Sequence, residues 1–191
     1  VELKKLGVKW NAAVSINVVD IPGMLDMMKD CGCQGLFIGF ESINPSSVSG
    51  VHKLQNDVSK YEKAVNEIHR RGIMINASFV FGLDSDTKET FKATLDWIVR
   101  NRIETVTSHI LTPYPGTELY RRMKQEGRLL TEDLGLYDTA HVVMQPMNMT
   151  PDGHATGGFA TDNGICFCHF CRNILKAHGD FVAAFTCCRR N

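Results

Sequence analysis

Long apolar runs are missing: nothing in the 191 residues approaches the ~20 consecutive apolar positions that a membrane-crossing helix needs. The opening VELKKLGVKW also lacks the apolar core and cleavage pattern of a signal peptide, so a cytoplasmic location without a membrane span is expected. Net charge is missing as well. Twenty-one basic residues balance twenty-one acidic ones, which leaves no broad basic surface for nucleic acid and makes a small-molecule substrate the expected partner. The seven cysteines, odd in number, unevenly spaced and partly adjacent in a chain without export signals, argue against a disulfide framework and for thiols or a metal site. The first residue is Val1 instead of methionine, which suggests a piece of something longer.

What is present is a globular composition, 43% hydrophobic and 22% charged, with one repeated alternation. WNAAVSIN (10–17) reads as a strand and PGMLDMMKDCG as a short helix opened by Pro22. GLFIGFES (35–42) is the next strand. A helix follows in 57–72, with Asp57 as N-cap, Val58, Tyr61, Val65 and Ile68 at helical spacing, and Gly72 as its stop. Residues 73–82 read as a third strand and 86–101 as a third helix with the stripe Phe91, Leu95 and Ile98. Residues 105–115 and 117–130 supply a fourth pair. Strand then helix, repeated, means parallel strands whose following loops gather on one side. Only about four such units are visible, against the roughly 250 residues of a closed eight-unit barrel, so either a partial barrel or an open sheet is expected.

Strand alternation separates two faces. Asn11, Ala13, Ser15 and Asn17 share a side, as do Phe37, Gly39 and Glu41, then Asn76, Ser78, Val80 and Gly82, then Thr105, Thr107 and His109. The opposite faces are bulky and apolar. A small, polar inner face suits a ligand cavity, although such groups also satisfy one another by hydrogen bonding. Glu41 is the conspicuous member. A carboxylate ending the apolar run GLFIGFE is costly unless it meets a partner, a ligand or water.

The blocks GLFIGFESINP, GIMINASFVFGLDSDTKETF, HILTPYPGTELYRRMKQEGRLL and YDTAHVVMQPMNMT resemble the radical SAM superfamily, in particular iron–sulfur oxidoreductases that carry a cobalamin-binding domain. The resemblance covers about residues 1–152 and implies a partial (βα) TIM-like barrel, starting near the family's third strand and reaching about the sixth. It implies S-adenosylmethionine bound against a 4Fe-4S cluster and reductively cleaved to a 5′-deoxyadenosyl radical, with an electron-donor protein and, in a longer parent, cobalamin. On this resemblance Glu41 is the carboxylate that accepts from the ribose hydroxyls. Ser15, Asn17 and Ser78 are further cofactor contacts, and Gly82 with Phe81 and Leu83 lies near the adenine. Thr112 and Tyr114 border the adenine within LTPYPGT, where Pro113 and Pro115 equally suit a rigid turn. Asn76 and His109 are expected at the substrate, and Tyr114 and Tyr137 either close the site or pack as aromatics. One departure is large: the family's CxxxCxxC cluster motif occurs nowhere in the sequence. Cluster ligands are therefore expected outside the chain, which alone would be inactive.

After residue 152 the resemblance ends. Residues 153–164 read as a glycine-rich linker, and 165–191 form an irregular tail in which Cys166, Cys168 and Cys171 have CxCxxC spacing, able to hold zinc or an iron–sulfur centre. The alternative to an enzyme is accordingly a non-catalytic fragment or binding module with a structural metal on those cysteines. A barrel hydrolase using Glu41 is weakened by the lack of a second inward carboxylate.

Overall fold

Side-chain alternation sets the architecture, with apolar side chains on one sheet face gathering helices against it. The structure, a computed structural model, describes residues 2–50, 57–151 and 159–160. In chain order these form α1 (Glu2–Leu6), β1 (Trp10–Val14), α2 (Met24–Asp30), β2 (Cys33–Glu41), α3 (Pro45–Gly50), α4 (Tyr61–His69), β3 (Met74–Phe81), α5 (Lys88–Arg100), β4 (Thr105–Ile110), α6 (Glu118–Gln125), β5 (Thr150–Pro151) and β6 (Phe159–Ala160). Strands β1 to β4 pair in sequence order in one four-stranded sheet, every pair parallel. A short antiparallel pair, β5 with β6, falls at the junction with the expected linker. The cysteine-rich tail lies outside the described residues.

Leu36, Ile38 and Phe40 of β2, Ile75, Ala77, Phe79 and Phe81 of β3, and Val106 and Ile110 of β4 all project to one side and are buried. Helix α4 covers them with Tyr61, Val65 and Ile68, and α5 with Phe91, Trp97 and Ile98. At the centre Phe40 meets Tyr61 edge-on at 4.9 Å and Trp97 at 5.2 Å, an arrangement worth more than its area alone. The Tyr61 hydroxyl donates to Phe40 O at 2.9 Å, fixing α4 over the end of β2.

Several elements are shorter than their sequence periodicity predicts, α4 among them: Asp57 caps a 3-10 turn over Val58–Lys60, and the α-helix begins only at Tyr61. Strand β1 stops at Val14 because the chain turns at Ser15 into a 3-10 segment, Ile16–Asp20, closed by Val18 N donating to Ser15 O at 3.0 Å. Asn17 thus lies on that turn and not on the strand. Strand β4 stops at Ile110, where Thr112 Oγ1 folds back onto Ile110 O at 3.0 Å ahead of Pro113. Helix α6 ends near Glu126 because Gly127, at φ 67°, adopts the left-handed conformation that terminates helices. Helices α1 and α3 carry no apolar period and escaped the sequence reading.

Candidate functional site

Among the described residues, no helix covers the other face of the sheet, which is open at β1 and more enclosed toward β3 and β4. On it lie Asn11 and Ala13 of β1, Phe37 and Gly39 of β2, Asn76, Ser78 and Val80 of β3, and Thr105, Thr107 and His109 of β4, as alternation requires. Exposure is greatest at β1 and falls toward β3, where Ser78 is 5% exposed. The following loops gather at the strands' C-terminal ends, the position where parallel sheets carry their chemistry.

Glu41 stands at that end, half-buried, on a backbone that few glutamates adopt. Its φ is 65°, and Ser42 N donates across it to Phe40 O at 2.8 Å, closing a three-residue turn of the strained positive-φ kind. The β2–β3 register slips here, Gly39 facing Ser78 while Glu41 faces Phe79. Such a bulge re-aims the side chain that follows it. Strain of this sort costs on the order of 1–3 kcal/mol and persists where its surroundings hold it, often in binding sites.

The neighbouring loop is fixed by a carboxylate that the sequence reading missed. Asp86 is fully buried, and its Oδ2 accepts from the amides of Gly82 and Leu83, each at 3.0 Å. Its Oδ1 accepts from Ser47 Oγ at 2.9 Å, and Ser47 lies 2.6 Å from Ser85 Oγ. Burial pushes the Asp86 carboxyl above the ordinary carboxylate value, against the hydrogen bonds from Ser47 and the two amides. Gly82 itself, at φ 99°, needs glycine's freedom.

Several polar groups of the open face are satisfied by one another. Thr107 Oγ1 donates to Asn76 Oδ1 at 3.0 Å, and His109 Nδ1 forms a hydrogen bond with Thr139 Oγ1 at 3.1 Å. Thr139, at φ 65°, also accepts from Ile110 N at 2.7 Å, which ties the YDTAHVV segment to the end of β4. Beside it His141 Nδ1 lies 3.0 Å from both Asp138 oxygens. Although burial works the other way, hydrogen bonds from His141 and the Ala140 amide hold the Asp138 carboxyl below its usual range. Tyr114 is 46% exposed beside the open end, whereas Tyr137 is buried and donates to Thr131 O at 2.8 Å. Tyr137 is therefore a packing residue and not a lid. Ser15 and Asn17 are exposed at the end of β1, and Thr112 is buried and bonded to its own turn.

For metal, the described residues offer little. No group of three or more His, Cys, Asp or Glu among them could hold an ion. Cys31 and Cys33 are buried free thiols, and burial pushes the Cys33 thiol up, away from the thiolate that a metal needs. Cys166, Cys168 and Cys171 lie outside the described residues. Among those described, no helix is long and apolar enough to cross a membrane.

A second cluster joins the loop after β3 to the segment that follows β4. Asp84 accepts from Arg122 and Arg128, each at 2.8 Å, while Asn148 Nδ2 donates to Asp84 O at 2.8 Å.

No family model matches the chain. Among curated proteins, it is 38% identical over 147 residues to the bacteriochlorophyllide d C-12(1)-methyltransferase of Chlorobaculum tepidum, covering 77% of this chain and 32% of that protein. It is 29% identical over 119 residues to the hopanoid C-2 methylase of Rhodopseudomonas palustris, covering 62% and 23% respectively. The chain thus spans about a third or less of the length of these relatives. Among solved structures, TsrM of Kitasatospora setae, a radical S-adenosylmethionine methyltransferase with cobalamin and a 4Fe-4S cluster bound, superposes with a TM-score of 0.55 at 18% identity, over 65% of this chain and 26% of that one.

Proposed function

We propose that the open sheet face of this chain, which is similar to curated methyltransferases and shares its fold with a radical S-adenosylmethionine methyltransferase, is the ribose and adenine side of an S-adenosylmethionine site. The observation that carries the reading is Glu41, a carboxylate kept at positive φ at the C-terminal end of β2. A cis-diol offers two donors and a carboxylate two acceptors, so the donor set fits a ribose. Gly82 and Leu83 would offer backbone to the adenine, bordered by Thr112 and Tyr114, while Ser15, Asn17 and Ser78 would serve the rest of the cofactor. The substrate would enter over Asn76 and His109.

The described residues do not fit the 4Fe-4S cluster, since they contain no ligand group. Cluster and cobalamin would be held elsewhere in a longer protein, which would take electrons from a donor protein and act on a small molecule in the cytoplasm. Bound together, S-adenosylmethionine and the cluster supply one-electron chemistry. The chain's own part is to bind and orient the nucleoside. Its relatives point to methyl transfer over a plain oxidoreductase outcome.

Calorimetric titration of the chain with S-adenosylmethionine tests the reading. Glu41→Ala should weaken binding by about 1–3 kcal/mol, the cost of losing a hydrogen bond to a charged group. Absence of binding, or binding indifferent to Glu41, refutes it. The CxCxxC spacing of Cys166, Cys168 and Cys171 supports a second reading of the tail alone, a separate structural metal site.

A further inference from the structure

Two loops that flank the open end of the sheet meet at one side chain. The loop after β2 leaves Glu41, turns through Asn44, whose amide donates to Ser42 Oγ at 3.1 Å, and enters α3, where Ser47 is 2% exposed. The loop after β3 runs through Gly82 and Leu83 and returns at Asp86, whose own amide donates to Leu83 O at 2.9 Å. Strand pairing does not connect these loops, because the β2–β3 register is last paired at Glu41 and Phe79. Beyond that point the Asp86 carboxylate bridges them, accepting from Ser47 on one side and from Gly82 and Leu83 on the other.

Burying a carboxylate is expensive, and an apolar residue would fill the same space at lower cost. What a carboxylate adds is geometry. Two amides share one oxygen and a hydroxyl takes the other, so the spacing between the loops is set by the length of one carboxyl group. We infer that Asp86 is a positioning residue for the nucleoside site, holding the backbone beside Gly82 at a fixed distance from the loop that follows Glu41. The inference rests on the reading of the site given above. Asp86 touches no ligand itself. It acts by keeping the adenine-side backbone where a nucleoside anchored through its ribose can reach it, and small misplacements of such groups are costly.

Titration of the full chain with S-adenosylhomocysteine separates positioning from mere support, using wild type, Asp86→Ala, Asp86→Asn, and Asp86→Ala combined with Glu41→Ala. Asp86→Ala should weaken binding about tenfold, because both amides lose their acceptor. Asp86→Asn should stay within about threefold of wild type, since the amide oxygen still accepts from both N–H groups while its NH2 donates to Ser47 Oγ. The double variant should lose less than the product of the two single effects, as expected for groups acting on one ligand. Hydrogen exchange adds a readout without ligand: the Gly82 and Leu83 amides should exchange faster in Asp86→Ala and remain slow in Asp86→Asn. If Asp86→Ala does not fold, Ser47→Ala replaces it. That change cuts the bridge on the β2 side alone and should weaken binding several-fold with the Gly82 amide still protected. Unchanged affinity in Asp86→Ala (or in Ser47→Ala where it stands in), or equal loss in Asp86→Ala and Asp86→Asn, overturns the inference. A wild-type chain that binds no nucleoside overturns the reading of the site instead.

Discussion

Replacing Glu41 once by glycine and once by alanine separates its backbone from its side chain. Both changes remove the carboxylate, so both should abolish its share of nucleoside binding equally. They differ in strain. At φ 65° a residue with a Cβ carries a penalty of about 1–2 kcal/mol, while glycine gives back about 0.4–1 kcal/mol through its freer unfolded chain. Glu41→Gly should therefore be more stable than Glu41→Ala by about 0.5–1 kcal/mol, or roughly 1–4 °C in melting temperature for a chain of this size. Parallel thermal and urea melts, with titration of S-adenosylmethionine on the same samples, read both quantities. Two variants of equal stability would mean that the turn between Phe40 and Ser42 is not strained. A glycine variant that binds like wild type would mean that the carboxylate is not a contact.

Asp84→Ala should destabilise the chain by about 1–3 kcal/mol in urea melts, because Arg128, whose side chain is 12% exposed, then keeps only Glu126 and Gln145 O as partners; no loss would mean that the Asp84 cluster is solvated decoration. Burial raises the Asp86 carboxyl, so the folded state binds a proton over an interval in which the unfolded chain, titrating near 3.9, has lost it. Stability should accordingly fall as pH rises from there through the raised value, and Asp86→Asn should flatten that fall; equal pH–stability curves would refute it. Metal analysis of the purified chain should find stoichiometric metal that disappears when Cys166, Cys168 and Cys171 all become serine, and a chain purified without metal would rule the tail site out.

Strands and long helices were legible because their periods are regular over eight or more residues, as in Met74–Phe81 and Lys88–Arg100. The polar inner face was legible for the same reason as far as Gly39, beyond which the bulge before Glu41 breaks the period. What those groups touch was not. Thr107 finds Asn76 only through the β3–β4 register, and His109 finds Thr139 across 30 residues of chain. Asp86 was not legible because strand alternation marks only residues on strands, whereas this carboxylate returns from a loop. Its signal was GLDSD, a glycine turn with an acceptor four residues on, just ahead of a helix. The 3-10 turn at Ser15 defeated the strand reading, since exposure continues to alternate through Asn17 after the strand has ended.

The left-handed Thr139 has a consequence for how this sheet can be extended. By taking the Ile110 amide and the His109 ring, the segment around it occupies the outer side of β4 at its C-terminal end. Among the described residues β1 pairs with β2 alone. An added strand would find the β4 border obstructed at that end and the β1 border unpaired among the described residues, so growth of the sheet has a direction. A synthetic peptide matched to β1 should dock, whereas one matched to β4 should be turned away until Thr139 is displaced.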